Sequence, residues 1–162
     1  MNLKNCEQLV LASKSPRRKT LLEQLGFEIK IVPSQINEKE TAMDEPAVYA
    51  GNLARLKAQD TGNRITDSYI LGADTIVVAD KAILGKPESD NDAFEMLKVL
   101  NNRTHQVITA FCLYHAKKNI CVTQAVCTDV DFKMCTENEL LWYIQTKEPF
   151  GKAGAYAIQG IG

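Results

Sequence analysis

Apolar positions along the chain fall into short runs whose spacing switches between strand-like and helix-like, with polar or glycine-bearing breaks between them. Leu9-Val10-Leu11-Ala12 reads as a buried strand. Ser15 offers an N-cap hydroxyl and Pro16 takes the first helical position, where its missing N–H costs nothing; the helix so begun runs through Leu21, Leu22 and Leu25 and stops at Gly26. The spacing then predicts a short strand over 28–32, a polar loop over 33–44, and a helix over 45–59 carrying Val48, Leu53 and Leu56 among alanines. A strand over 69–78 leads through Asp80-Lys81 into a second over 82–84, which Gly85-Lys86-Pro87 closes. Ser89, with Asp92 three residues on, opens a helix bearing Phe94, Met96, Leu97 and Leu100. Two long β-rich runs, 106–114 and 120–132, share a polar turn over 116–119 and imply an antiparallel ribbon. Thr136 and Glu139 form a capping box for a helix over 137–145. The remainder, 148–162, is glycine-rich, with an apolar strand-like piece over 155–158. No repeat or linker interrupts the chain, so residues 1–162 read as one α/β domain with mixed sheet pairing rather than the strict alternation of a parallel doubly wound sheet.

Against that frame, the first strand-to-helix turn carries charge of an unexpected sign. Arg17, Arg18 and Lys19 crowd the first helical turn, where the helix dipole is positive and acidic residues would be favoured by roughly 0.3–1 kcal/mol each. Free backbone N–H groups, Ser13, Ser15 and a cation cluster together suit a polyanion such as phosphate; a solvated charge run is the plainer alternative. Asp74, in Gly72-Ala73-Asp74-Thr75, interrupts an apolar strand. A buried carboxylate needs a partner, so Asp74 is expected at a strand end facing a cleft, a cation or a metal. Lys86 and Lys152 each stand alone in a small-residue loop, Lys57 lies on the helix over 45–59, and Glu38 precedes that helix as a candidate second carboxylate near a metal. Each of these would be ordinary taken singly. Gln159 follows an apolar piece and precedes glycine, and its amide can donate and accept at once, as reading a base edge requires. No phosphate-binding glycine loop, dinucleotide fingerprint or nucleophile elbow is present. His105 begins a β-run and is expected to pack or hydrogen-bond locally.

Composition narrows the partners. Of the 162 residues, 19 are basic and 20 acidic, leaving a net charge of −1, which argues against a general nucleic-acid binder but not against a small anion held by a local cation cluster. No apolar run approaches the ~20 residues that span a bilayer, and residues 1–5 show no signal-peptide hydrophobic stretch, so a cytoplasmic location is expected. The five cysteines, Cys6, Cys112, Cys121, Cys127 and Cys135, match no metal spacing. Cys121 and Cys127 lie an even number of residues apart on one strand face and are expected to be buried, reduced thiols.

Taken together these pieces resemble the Maf family of nucleoside triphosphate pyrophosphatases. The resemblance covers nearly the whole chain in order: Leu11-Ala12-Ser13-Lys14-Ser15-Pro16-Arg17-Arg18, Leu53-Ala54 with Lys57-Ala58, Gly72-Ala73-Asp74-Thr75-Ile76-Val77, Gly85-Lys86-Pro87, His105-Gln106-Val107 with Thr109, and Lys152-Ala153-Gly154-Ala155-Tyr156-Ala157-Ile158-Gln159-Gly160. It implies an elongated α/β fold with a central mixed β-sheet flanked by helices and a deep nucleotide cleft. It also implies hydrolysis of a nucleoside triphosphate to the monophosphate and pyrophosphate, dependent on a divalent metal, Mg²⁺ or Mn²⁺. By the family pattern Asp74 is the proton acceptor, while Arg17, Thr75 and Gln159 influence which base is accepted. The Ala-Asp-Thr form is similar to the group acting on dTTP and UTP, and the Ser-Asp-Gln form of the 7-methyl-GTP group is lacking. Modified pyrimidine nucleotides would be further substrates, and a homodimer stays open.

The chemistry agrees with the residues. Ser13, Arg17, Arg18, Lys57, Lys86 and Lys152 would bind the triphosphate, and Glu38 and Asp74 would hold the metal. Asp74 as base and Asp74 as metal ligand both remain open. The chain departs from the family at Gly151, where an acidic residue is usual, and it stops at Gly162, where family members continue through further strands and a closing helix. A rival reading is therefore a nucleotide-binding regulator of cell division without turnover, inactive through the shortened C-terminus; a third is a phosphosugar-binding structural domain.

Overall fold

A computed structural model describes residues 8–38 and 45–162. Among the described residues the elements are β1 (Leu9–Leu11), α1 (Pro16–Gln24), β2 (Ile29–Ile31), α2 (Pro46–Arg64), β3 (Tyr69–Ala79), β4 (Ala82–Leu84), α3 (Asp90–Leu100), β5 (Thr104–His115), β6 (Ile120–Asp131) and α4 (Glu137–Gln145), then a 3-10 turn at Ala153–Ala155. The sheet has six strands in the order β2-β1-β3-β5-β6, with β4 on β3. β1 pairs in parallel with β2 and β3, Val10 lying opposite both Lys30 and Ile70, and β4 pairs antiparallel with β3, so the sheet is mixed as expected. The side-chain bonds Thr104–Asp131 and Gln106–Asp129 advance in opposite directions along β5 and β6, as an antiparallel ribbon requires. Asp80 and Lys81 both take positive φ, 48° and 67°, the pair of left-handed residues that a tight twisted hairpin demands.

The chain divides into two compact units. The first holds Asp74 and the described residues before it, with Thr109–Val126; the second holds Thr75–Ile108 and Cys127–Gly162. In the first, Val10, Leu11, Ala50, Leu53, Ala54, Ala58 and Ile70 are buried. In the second, α3 and α4 pack through Ala93, Leu97, Leu140, Tyr143 and Ile144, and Val77, Ala79 and Leu100 form a neighbouring cluster.

Several boundaries differ from the sequence reading. α2 continues five residues past Gln59, through residues that normally end helices. Thr61 is fully buried and its hydroxyl donates to the Val32 carbonyl at 3.2 Å, and at Gly62 a Cβ would stand 2.3 Å from the Tyr114 ring. Packing thus favours small residues there and overrides their weak helix propensity. Residues 155–158 are not a strand: Gly154 and Ala155 both take left-handed φ, 66° and 61°, and Gly154 lies so close to Val77 that a Cβ would meet it at 2.9 Å. Ser15 occupies the N-cap of α1 but its hydroxyl accepts no capping bond. Cys121 and Cys127 are exposed, not buried, because the described residues leave both faces of the edge strand β6 open along most of its length. Cys6 lies outside the described residues. No described helix is long and apolar enough to cross a membrane.

Candidate active site

The site is built where α2 lies against β3. Gly72 makes the approach close: a Cβ there would stand 2.2 Å from the Ala54 carbonyl oxygen and 2.7 Å from the Ala58 nitrogen. Ala54 and Ala58 are small for the same reason. Asp74 follows Gly72 by two residues, hence on the same face of the strand, and Lys57 precedes Ala58. Close contact therefore delivers the Lys57 ammonium onto the Asp74 carboxylate, Nζ to Oδ1 2.5 Å, with side chains only 8% and 11% exposed. Asp74 meets the cation that its burial requires, but in mid-strand rather than at a strand end, since β3 runs on to Ala79.

Glu38 joins the same ammonium, Oε1 to Lys57 Nζ 3.0 Å, with a more open side chain at 43%. The segment leading to it is moored on the end of α2: Gln35 N–H donates to Asp60 Oδ2 at 2.9 Å, and Arg64 Nη2 donates to the Pro33 carbonyl at 2.8 Å. Buried charges are tolerated when paired in this way. Two carboxylates thus converge on one nitrogen.

From the other side comes Arg18. Its Nη1 donates to Ser13 Oγ at 3.1 Å and to the Ala73 carbonyl at 2.9 Å, immediately before Asp74. Burial lowers the Arg18 guanidinium from its usual value, opposed by the Asp74 charge. Ser13 Oγ also accepts the Ser15 N–H at 3.2 Å, so Ser13 rather than Ser15 secures the start of the turn. Arg17 stands exposed in the first turn of α1.

Tyr49 was not found from the sequence. It lies on α2 eight residues before Lys57, with Leu53 between, a spacing that keeps all three on one helical face. Burial, with the charges of Asp74 and Glu38, pushes its hydroxyl above the usual phenol range, so it stays a neutral donor. The same spacing rule could have nominated it.

Thr75, Lys86, Lys152 and Gln159 belong to the second unit. There Gly154 N–H donates to the Gly85 carbonyl at 2.9 Å, which ties the loop bearing Lys86 to the loop bearing Lys152. Lys86 is exposed, and the Lys152 ammonium donates to the Glu148 carbonyl. Glu148 accepts the N–H groups of Ile161 and Gly162, each at 3.0 Å, and so holds the segment that follows the exposed Gln159. Those backbone donors draw the Glu148 carboxyl below its usual range. His105 is buried, but its partner is distant in the sequence rather than local: Nε2 lies 2.6 Å from the Tyr156 hydroxyl.

Among the described residues no group of three or more His, Cys, Asp or Glu side chains could hold a metal ion. The pair Glu38 and Asp74 nevertheless supplies hard carboxylate oxygens at one point, the donor set that suits Mg²⁺ when it arrives with phosphate oxygens rather than in an all-protein cage.

Residues 8–162 match the family described as Maf-like protein. A relative named dTTP/UTP pyrophosphatase from Thermococcus onnurineus is 47% identical over 155 residues, covering 95% of this chain and 82% of its own length. One of the same name from Ruminiclostridium cellulolyticum is 45% identical, covering 95% and 80%. Among solved structures, the Staphylococcus aureus Ham1 protein is similar in fold, with TM-score 0.51 at 13% identity, covering 76% of this chain and 70% of that one. The chain therefore belongs to the Maf-like protein family.

Proposed function

We propose that this protein is a nucleoside triphosphate pyrophosphatase that cleaves dTTP and UTP to the monophosphate and pyrophosphate. The observation that carries the reading is the buried Asp74 carboxylate on Lys57, flanked by Glu38 and Arg18, in a chain whose relatives bear that activity as their name. Release of pyrophosphate breaks the anhydride between the α and β phosphates, so water must be delivered to a phosphorus of that bridge. Asp74 accepts the proton of that water, and the Lys57 ammonium, 2.5 Å from Oδ1, holds the carboxylate in position until the nucleotide arrives. Arg17, Lys57, Lys86 and Lys152 neutralise the phosphate tail, and Ser13 with Arg18 fixes the backbone that presents Asp74. Thr75 and Gln159 discriminate the base: a thymine or uracil edge sets carbonyl acceptors around one N–H, which an amide can match. Glu38 and Asp74 would hold a divalent cation, Mg²⁺ or Mn²⁺, which when bound supplies charge neutralisation at the phosphates.

The test is pyrophosphate release from dTTP, UTP and 7-methyl-GTP with Mg²⁺ or Mn²⁺. Turnover of the two pyrimidine nucleotides is expected, and Asp74→Asn should lower kcat by about 10²–10⁴-fold while leaving the circular dichroism spectrum unchanged. Tight nucleotide binding without pyrophosphate release would replace the enzyme by a regulator. Substantial activity in Asp74→Asn would remove Asp74 from its role.

A further inference from the structure

Cys112 on β5 and Cys121 on β6 bring their Sγ atoms within 3.9 Å of each other. Cys112 shares a hydrogen bond with Thr123, and Cys121 stands two residues before Thr123, on the same face of β6. The two thiols differ in access. Cys112 is fully buried, whereas Cys121 is exposed on the edge strand. Behind them lies α2: a Cβ on Gly51 would touch the Thr123 methyl at 3.5 Å, and the Arg55 charge acts on Cys112.

We propose that Cys112 and Cys121 form a reversible redox site that closes to an intrachain disulfide on exposure to a hydroperoxide. The exposed Cys121 reacts first: its thiolate sulfur takes the terminal oxygen of the peroxide, the O–O bond breaks, and the other oxygen leaves as water or alcohol after protonation. The Cys112 sulfur then attacks the Cys121 sulfenic acid; the S–S bond forms, the S–O bond breaks, and the hydroxide departs as water with the Cys112 proton. Two thiols are oxidised by two electrons and one hydroperoxide is reduced. Burial pushes the Cys112 thiol up to about 11, so it stays protonated at neutral pH and serves as the resolving group rather than the sensor. The β5–β6 register puts Cys112 opposite Thr123 and diagonal to Cys121, and a disulfide bond is about 2.05 Å long, so the sulfurs must close by about 1.9 Å with the backbone of the edge strand moving as well as the side chains. Cys127, also exposed on β6, is six residues further along, about 20 Å at strand spacing, and out of reach of Cys112.

The experiment treats the full chain with hydrogen peroxide at neutral pH, removes the excess, blocks remaining thiols with iodoacetamide under denaturing conditions and maps a non-reduced digest by mass spectrometry. The expected result is a linked peptide pair carrying Cys112 and Cys121, which dithiothreitol abolishes. The link should be absent from Cys121→Ser and retained in Cys127→Ser; both positions are exposed, and circular dichroism checks that each variant keeps its fold. Recovery of Cys121 as sulfinic acid with Cys112 fully blocked, or linkage of Cys121 to Cys127 or to a second chain, would overturn the proposal. The map of the unaltered protein decides the matter even if a variant misfolds.

Discussion

Replacing Lys57 by Met separates the two carboxylates that share its ammonium, and the structure ranks the consequences. Asp74 meets Lys57 at 2.5 Å with both side chains about nine-tenths buried, whereas Glu38 meets it at 3.0 Å with 43% of its side chain exposed. Removing one partner from a buried ion pair leaves an uncompensated charge and costs about 3–5 kcal/mol. At the scale of a chain this size, that lowers Tm by roughly 6–20 °C. Glu38→Gln, by contrast, breaks a pair that solvent screens and should cost at most about 1 kcal/mol. The decisive comparison is Lys57→Met with Asp74→Asn. Removing both ends of the buried pair takes away the stranded charge, so the double variant should be more stable than Lys57→Met alone, with a coupling of about 0.5–3 kcal/mol. The assay is urea unfolding followed by far-ultraviolet circular dichroism, with midpoints compared at constant m. Lys57→Met within about 0.5 kcal/mol of the unaltered protein, or a double variant costing the full sum of the singles, would refute the reasoning.

Three further outcomes are expected. Gly72→Ala places a methyl 2.2 Å from the Ala54 carbonyl oxygen, a backbone clash that no rotamer relieves; it should cost more than about 3 kcal/mol or prevent folding, as read by soluble yield and urea midpoint. Thr136→Ala removes the hydroxyl that accepts the Glu139 N–H at 3.3 Å in the capping box of α4, and thermal unfolding should show a loss of about 0.5–2 kcal/mol. Burial lowers the pKa of His105, so the unfolded chain binds its proton more readily than the folded one. Its contribution to stability is complete above about pH 6.5 and falls as pH drops through that value toward the lower folded-state pKa. His105→Asn should flatten the pH dependence of unfolding just below pH 6.5, and an unaltered slope would assign that dependence elsewhere.

Local signals were legible because their causes lie within a few residues. Pro16 and Gly26 bracket α1, Ser89 accepts the Asp92 N–H at the start of α3, and Thr136 with Glu139 caps α4 where the capping box placed it. The apolar run over β3 and the β-rich run over β5 disclosed strands with buried positions, and the motif order carried the family and the mixed sheet and nominated Asp74. What failed locally failed where distant packing won. Asp60 to Asn63 look like a helix end, yet Thr61 and Gly62 fit against Val32 and Tyr114 and keep α2 going. Residues 155–158 have strand composition, but the left-handed Gly154 and Ala155 turn the chain instead.

The amino-acid order alone, then, determined the type of the main helices and strands and which acid interrupts an apolar strand, but not where α2 ends, that residues 155–158 turn, or that Cys121 and Cys127 are exposed. It did not determine partners. That Lys57 meets Asp74, that Glu38 shares the same nitrogen, that Arg18 is spent on Ser13 and Ala73, and that Cys112 lies beside Cys121 were decided by tertiary structure alone. Periodicity and capping are interactions over three or four residues and leave a pattern in the chain. An ion pair between a helix and a strand depends on strand order and on how closely the helix can approach, and here that approach was set by the missing side chain of Gly72.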